Sequence, residues 1–185
     1  MDATAPDLIH AVIGFRQWRL HGDELWSMHA DDRWGRGLQT ARCRGEEAHD
    51  GPAPQNGCTC GFYAWYDPTP RTASAATAEL VGGAVALWGQ VELHAHGFRA
   101  QHAMIVALAL PMSWGAKRRR LLAVADALEV PAVPARRLKT TALEHGDVIP
   151  RRMRPPDTTP NKRAAPGPPD PARLYAVADG LPRRR

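Results

Sequence analysis

No run of this chain reaches the ~18 uninterrupted apolar residues that a membrane-crossing helix needs. The opening MDATAPDLIHAV also lacks the basic start and small-residue cleavage pattern of a secretory leader. These absences lead to an expected cytoplasmic location and no membrane partner. Missing too are the phosphate-loop pattern G-x4-G-K-S/T, the dinucleotide pattern G-x-G-x2-G and the hydrolase elbow G-x-S-x-G. A zinc-dependent base deaminase would carry H-x-E and P-C-x2-C, and neither occurs. The reading therefore leans away from an enzyme. Cysteine is scarce, with three in 185 residues. An odd count leaves one thiol outside any disulfide framework, and in a reducing compartment thiols serve metals or chemistry instead.

What charge there is lies unevenly. Residues 1–115 hold 8 Lys/Arg against 12 Asp/Glu, while residues 116–139 hold 7 against 2 and residues 151–185 hold 9 against 3. The body is mildly acidic and the C-terminal third basic. Eight prolines fall in the last 35 residues with few large apolar groups, a composition that reads as a disordered Pro/Arg-rich tail from Arg151 to Arg185 behind a domain of residues 1–150. Within that tail RLYAVADGL alone has the makings of a short helix.

Hydrophobic patterning gives the domain its expected class. IHAVIGFRQWRL followed by Gly22-Asp23 and ELWSMH reads as a hairpin, and GLQTARC as a third short strand. TASAATAELV is Ala-rich and reads as a helical turn or two. From Val81 to Pro111, period-two alternation on both sides of His96-Gly97 predicts a long antiparallel hairpin, with Gly89 marking a bulge or a close approach. Leu121, Leu122, Ala125 and Leu128 recur at helical spacing between Ala116 and Glu129, with Ser113 as N-cap and Pro131 as stop. The expectation is an α+β fold: a mostly antiparallel sheet or partly open small barrel, one main helix and a zinc-stapled loop.

That loop, RGEEAHDGPAPQNG, is built of Gly, Pro, Asn and acidic residues and cannot pack a core. Cys43, His49, Cys58 and Cys60 sit in and around it as C-x5-H-x8-C-x-C. Four soft or borderline donors at this spacing can converge as a tetrahedron, and zinc is the natural occupant. Asp50 follows His49 directly, so a carboxylate or a water is an alternative fourth ligand; water would make the site catalytic in kind. C-x-C is not the usual C-x2-C knuckle, and three unrelated thiols beside a surface histidine is the bland alternative.

With these residues in view, the chain resembles a group of small actinobacterial proteins that have no assigned activity. The resemblance is carried by GFRQWRL, HDGPAPQNGCTCGFYAWYDP and VALWGQVELHAHGFRA, roughly residues 14 to 110. It implies the four zinc ligands and one compact domain. It implies no reaction, and the tail lies outside it.

Three further groups stand out. His94, His96 and His102 gather near one hairpin tip and offer a second metal or acid/base site, or simply a wet turn. Trp65 and Tyr66 follow the zinc loop beside Phe62, and alternation exposes at least one aromatic for stacking on a base, the other reading being that they pack the loop on the sheet. Lys117, Arg118, Arg119 and Arg120 begin the helix, where the macrodipole disfavours cations; with Arg136 and Arg137 they form a candidate nucleic-acid or anion site, or a solvated face. Taken together, the sequence points to a non-enzymatic zinc-stabilised binding module for nucleic acid or another polyanion. A protein-interaction adaptor using the VALWG edge or RLYAVADGL is the rival, and a metal-dependent enzyme the third class.

Overall fold

The computed structural model describes residues 11–44, 48–68, 80–111 and 115–157. In chain order it contains β1 (Val12–His21), β2 (Glu24–Trp26), β3 (Arg33–Trp34), β4 (Gln39–Thr40), β5 (Phe62–Trp65), β6 (Leu80–Leu93) and β7 (Gly97–Leu110). After these come α1 (Ala116–Leu128), β8 (Ala132–Pro134), α2 (Ala135–Ala142) and a 3-10 turn at Arg151–Met153. The fold is α+β with a mostly antiparallel sheet. No described helix is long and apolar enough to cross a membrane.

Two long strands organise the sheet. β6 runs antiparallel to β1 along one edge (Val12↔Leu87 to Arg19↔Leu80) and to β7 along the other (Gly83↔Leu108 to Leu93↔Phe98). The far edge of β7 takes β5 at residues 97–100, β4 at residues 102–103 and β8, in parallel, at residues 108–110. β5 also touches β1 at Phe15↔Trp65, so β1, β6, β7 and β5 return on themselves as a ring of strands. The hairpins expected at Gly22-Asp23 and around His96 are present, and Gly89 sits at φ +79° in a register shift between Trp88 and Val91.

Strand alternation sorts the side chains onto two faces. One face of β1 sends Val12, Trp18 and Leu20 into the ring with Val85, Leu87, Phe98, Ile105 and Leu108, and α1 closes this core with Leu121, Val124, Ala125 and Leu128. The other face carries Ile13, Phe15, Ala84, Ala86, Val106, Ala107 and Ala109, small enough for α2 to seat Leu138 and Ala142 on them. Close backbone approach sets three glycines. A Cβ at Gly83 would overlap the Ala107 carbonyl, one at Gly97 the Ala64 carbonyl, and one at Gly146 the Ala11 carbonyl.

Two charges lie inside, Arg99 and Arg16, and among the described residues the second has no carboxylate bound to it. Arg16 shares the parity of Trp18, and its guanidinium stands 4.3 Å from the Trp34 ring centroid and 5.6 Å from that of Trp18. Its Nε and Nη1, like Trp18 Nε1, are buried without a protein hydrogen-bond partner. Burial pushes the guanidinium down to about 10, with Asp32 acting in the opposite sense. The two indole faces are what offsets its loss of water.

The structure departs from the sequence expectations at two places. The stretch after Val130 is more ordered than expected, giving β8 and a second helix beside the one main helix. Ser113, the expected N-cap, lies outside the described residues, as do 72–79 of TASAATAELV; Gly115 caps α1 with no side-chain bond. After residue 150, Met153 packs on the core and Arg154 is held by Asp67. The rest of the expected tail, including RLYAVADGL, lies outside the described residues.

Asp67 ties the end of β5 to two later elements, accepting from Lys139 Nζ on α2 at 2.8 Å and from Arg154 Nη1 at 2.9 Å. The Lys139 hydrogen bond first, then that from Arg154, holds its carboxyl below the usual aspartate value against burial. A folded value below the unfolded one contributes stability above the unfolded value that is lost as pH falls through the folded one. Melting curves of wild type and Asp67→Asn should therefore differ at neutral pH and converge between roughly pH 5 and pH 2. A difference that persists unchanged at the acid end would deny the carboxylate this role.

Candidate metal centre

The two ends of the loop meet because neighbouring stretches of one strand hold them. β4 leaves β7 at Thr40↔His102, reinforced by Ala41 N–H to Gln101 O at 2.8 Å, and β5 joins β7 at Phe62↔Ala100. Cys43 follows β4 and Cys60 precedes β5, so the register of β7 brings them to one place. Gly61, at φ +112°, turns the chain from Cys60 into β5, close against Pro54 and Arg99.

The ligand atoms of Cys43, His49, Cys58 and Cys60 all lie within 4.8 Å of one another. Cys43 Sγ is 3.4 Å from Cys58 Sγ, and His49 Nε2 is 3.2 Å from Cys60 Sγ. A tetrahedron with bonds of about 2.3 Å to sulfur and about 2.0–2.1 Å to nitrogen spaces its donors by about 3.5–3.8 Å. Those two separations fall just inside that figure, and the 4.8 Å limit on the others leaves each donor within a small movement of it. All three cysteines are free thiols. His49 Nδ1 is 3.1 Å from the Gly51 carbonyl, and donating there leaves Nε2 as the lone-pair nitrogen facing the sulfurs. Burial first, then the hydrogen bond with Cys58, pushes the Cys60 thiol up. A divalent cation is the group that turns such crowded thiols into thiolates. Asp50 is not in the cluster. The arrangement can hold a metal ion through three sulfurs and one imidazole.

The other sequence candidates fare differently. His94, His96 and His102 do not converge. His94 stacks on Tyr63 with Nε2 3.4 Å from Glu92, His96 faces Asp157 at 3.2 Å, and His102 bonds Thr40 Oγ1 at 3.1 Å. Tyr66 is buried against Phe98 and donates its hydroxyl to the His94 carbonyl at 2.7 Å, so it has no face for a base. Burial pushes its phenol up. Trp65 is 37% exposed, and Tyr63, not singled out from the sequence, is 46% exposed. Parity along β5 was the signal: Ala64 and Tyr66 point in, Tyr63 and Trp65 out.

The arginine run at the start of α1 is largely turned to the chain's own backbone. Lys117 Nζ donates to Leu80 O at 2.8 Å and Arg118 Nη1 to Pro111 O at 3.2 Å. Arg120 donates to Gly22 O and lies 3.6 Å from Asp23. These cations fasten the helix start to strand ends, which is why no acids stand there. Arg119 is exposed, and so are Arg136 and Arg137 on α2. No family model, no curated protein and no solved structure matches the chain.

Proposed function

We propose that this protein is a zinc-stapled, non-enzymatic binding module whose ligand is nucleic acid or another polyanion. The observation that carries the reading is the convergence of three cysteines and one histidine. These donors complete a four-coordinate shell and leave no position for a substrate or a reactive water. The three-sulfur donor set favours zinc over the harder cations. The zinc ligands are those implied by the resemblance to the actinobacterial group.

The ligand surface we assign lies on α2 and the turn after it. Asp67 brings Lys139 and Arg154 to one carboxylate, and Arg136 stands one helical turn before Lys139. Arg137, Arg151 and Arg152 are exposed nearby in sequence, and Trp65, two residues before Asp67, adds an open indole. Cations with an aromatic at the margin suit phosphates and a stacked base. The start of α1 contributes Arg119 at most. In the adaptor alternative Tyr63 and Trp65 dock on a protein; the VALWG segment offers no free edge for this, because Val85, Ala86 and Leu87 are paired on both sides.

Replacing Arg136 and Arg137 together by Gln should leave the melting temperature nearly unchanged. It should weaken binding to single- or double-stranded nucleic acid and flatten the log–log dependence on salt by up to about two units. Binding that barely responds to salt in the wild type would favour the adaptor, and equal binding by wild type and variant would remove this surface from the reading.

A further inference from the structure

The turn that carries Cys58 and Cys60 is gripped by a single guanidinium from the strand behind it. Arg99 lies on β7 opposite Tyr63, and its side chain is 3% exposed. Nη1 donates to the carbonyl of Cys58 and, at 2.9 Å, to that of Cys60. Nη2 donates to Gln55 O at 3.2 Å and to Glu92 Oε2 at 2.5 Å, and Nε reaches the same Glu92 oxygen at 3.1 Å. Glu92 is the register partner of Arg99 on β6. The guanidinium carbon is 5.8 Å from the Tyr63 ring centroid.

Three backbone oxygens of the turn, two of them on cysteines of the cluster, therefore point at one cation. A peptide carbonyl fixed in direction limits where its own residue's Cβ and Sγ can lie. A lysine could not do the same, because one ammonium cannot span acceptors that a planar fork reaches together. The grip is also hard to release. If the turn opened, a guanidinium almost excluded from water would lose three acceptors and keep only Glu92 and, at 3.4 Å, the Tyr63 hydroxyl, and a buried polar group short of partners is costly. The closed turn is thus the state in which both the arginine and the thiols are in place.

We propose that Arg99, countered by Glu92, is a positioning residue for the metal: it holds residues 55–60 in the ligand-ready form, so that metal affinity, and not only stability, depends on it. This rests on the reading of Cys43, His49, Cys58 and Cys60 as a metal site. Outer partners of a metal's ligands are commonly worth about 10–100-fold in affinity. By linkage, whatever the arginine contributes to metal binding, the metal contributes to keeping the arginine's acceptors in place.

The test uses the full chain and compares wild type, Arg99→Met, Arg99→Lys, Glu92→Gln and, as a core lesion on a strand that supplies no donor to the cluster, Trp18→Phe. Zinc affinity is measured by chelator competition at a temperature where circular dichroism shows each protein folded, and cobalt(II) is substituted to read the thiolate charge-transfer band. Arg99→Met and Arg99→Lys should bind zinc about 10–100-fold more weakly, with a displaced or weakened cobalt band. Glu92→Gln should lose less, since the carbonyls keep their donor, and Trp18→Phe should keep the wild-type affinity and spectrum. If Arg99→Met does not fold, Arg99→Lys and Glu92→Gln decide the matter. Wild-type affinity in the Arg99 variants overturns the proposal while leaving the metal site standing. So does an equal loss in Trp18→Phe, which would make the effect one of general stability. A wild type that binds neither zinc nor cobalt overturns both.

Discussion

Purified protein should contain one zinc per chain, and Cys58→Ser or Cys60→Ser should lose the metal together with several kcal/mol of stability. The size follows from the loop. Residues 44–57 are polar and glycine- and proline-rich, and among their described members only Ala53 and Pro54 are buried. Little but the ligand cluster and the Arg99 grip offsets the entropy of ordering that stretch. Zinc binding in small structural sites amounts to ~10–16 kcal/mol at neutral pH. Here the ring of strands has its own core, so part of the fold should survive metal loss. Elemental analysis gives the stoichiometry, and melting with and without chelator gives the linkage. A protein free of zinc and indifferent to chelator would remove the central claim.

The second large effect is expected at Trp18. Its side chain is fully buried in the ring, edge-on to Trp34 at 5.5 Å, and Trp34 in turn meets Phe62 at 4.9 Å. Trp18→Ala should cost ~3–5 kcal/mol, the range for deleting a large aromatic from a packed interior. The cavity would open beside Arg16, which would also lose one of its two indole neighbours. Urea unfolding measures the loss. A cost below about 1 kcal/mol would mean that the interior collapses around the missing ring, contrary to close packing.

Parts of this architecture were legible in the sequence for identifiable reasons. The β6–β7 hairpin was visible because a period of two ran without interruption on both sides of one turn, and the bulge because Gly89 stood alone within it. The candidate metal donors were visible because thiols and an imidazole in an otherwise coreless loop have few other uses. Ring closure was not, since it depends on Phe15 meeting Trp65, 50 positions further along the chain. α2 escaped notice because only Leu138 and Ala142 are buried, too thin an apolar signal in ARRLKTTA. The structural use of the arginine run was not legible, because the macrodipole argument weighs the helix alone, whereas Leu80, Pro111 and Gly22 supply carbonyls from other elements. Arg16 could have been placed inside by counting from Trp18, had a charge not argued against the parity of its own strand.

At Gly83, Gly97 and Gly146 the obstacle to a side chain is a backbone carbonyl, that of Ala107, Ala64 and Ala11 respectively. A neighbouring side chain can change rotamer to make room; a carbonyl in a paired strand or bridge cannot move without its whole segment. In a population of variant chains these three codons should therefore be nearly invariant even where no metal, ligand or partner is under selection. Variation should instead collect at Gly22, Gly35 and Gly115, where a Cβ would meet nothing within 4 Å, with Gly22 limited by its positive φ. Invariance among relatives of this chain would thus mark two different things, the four donors that converge on one point and the three places where main chain rests on main chain.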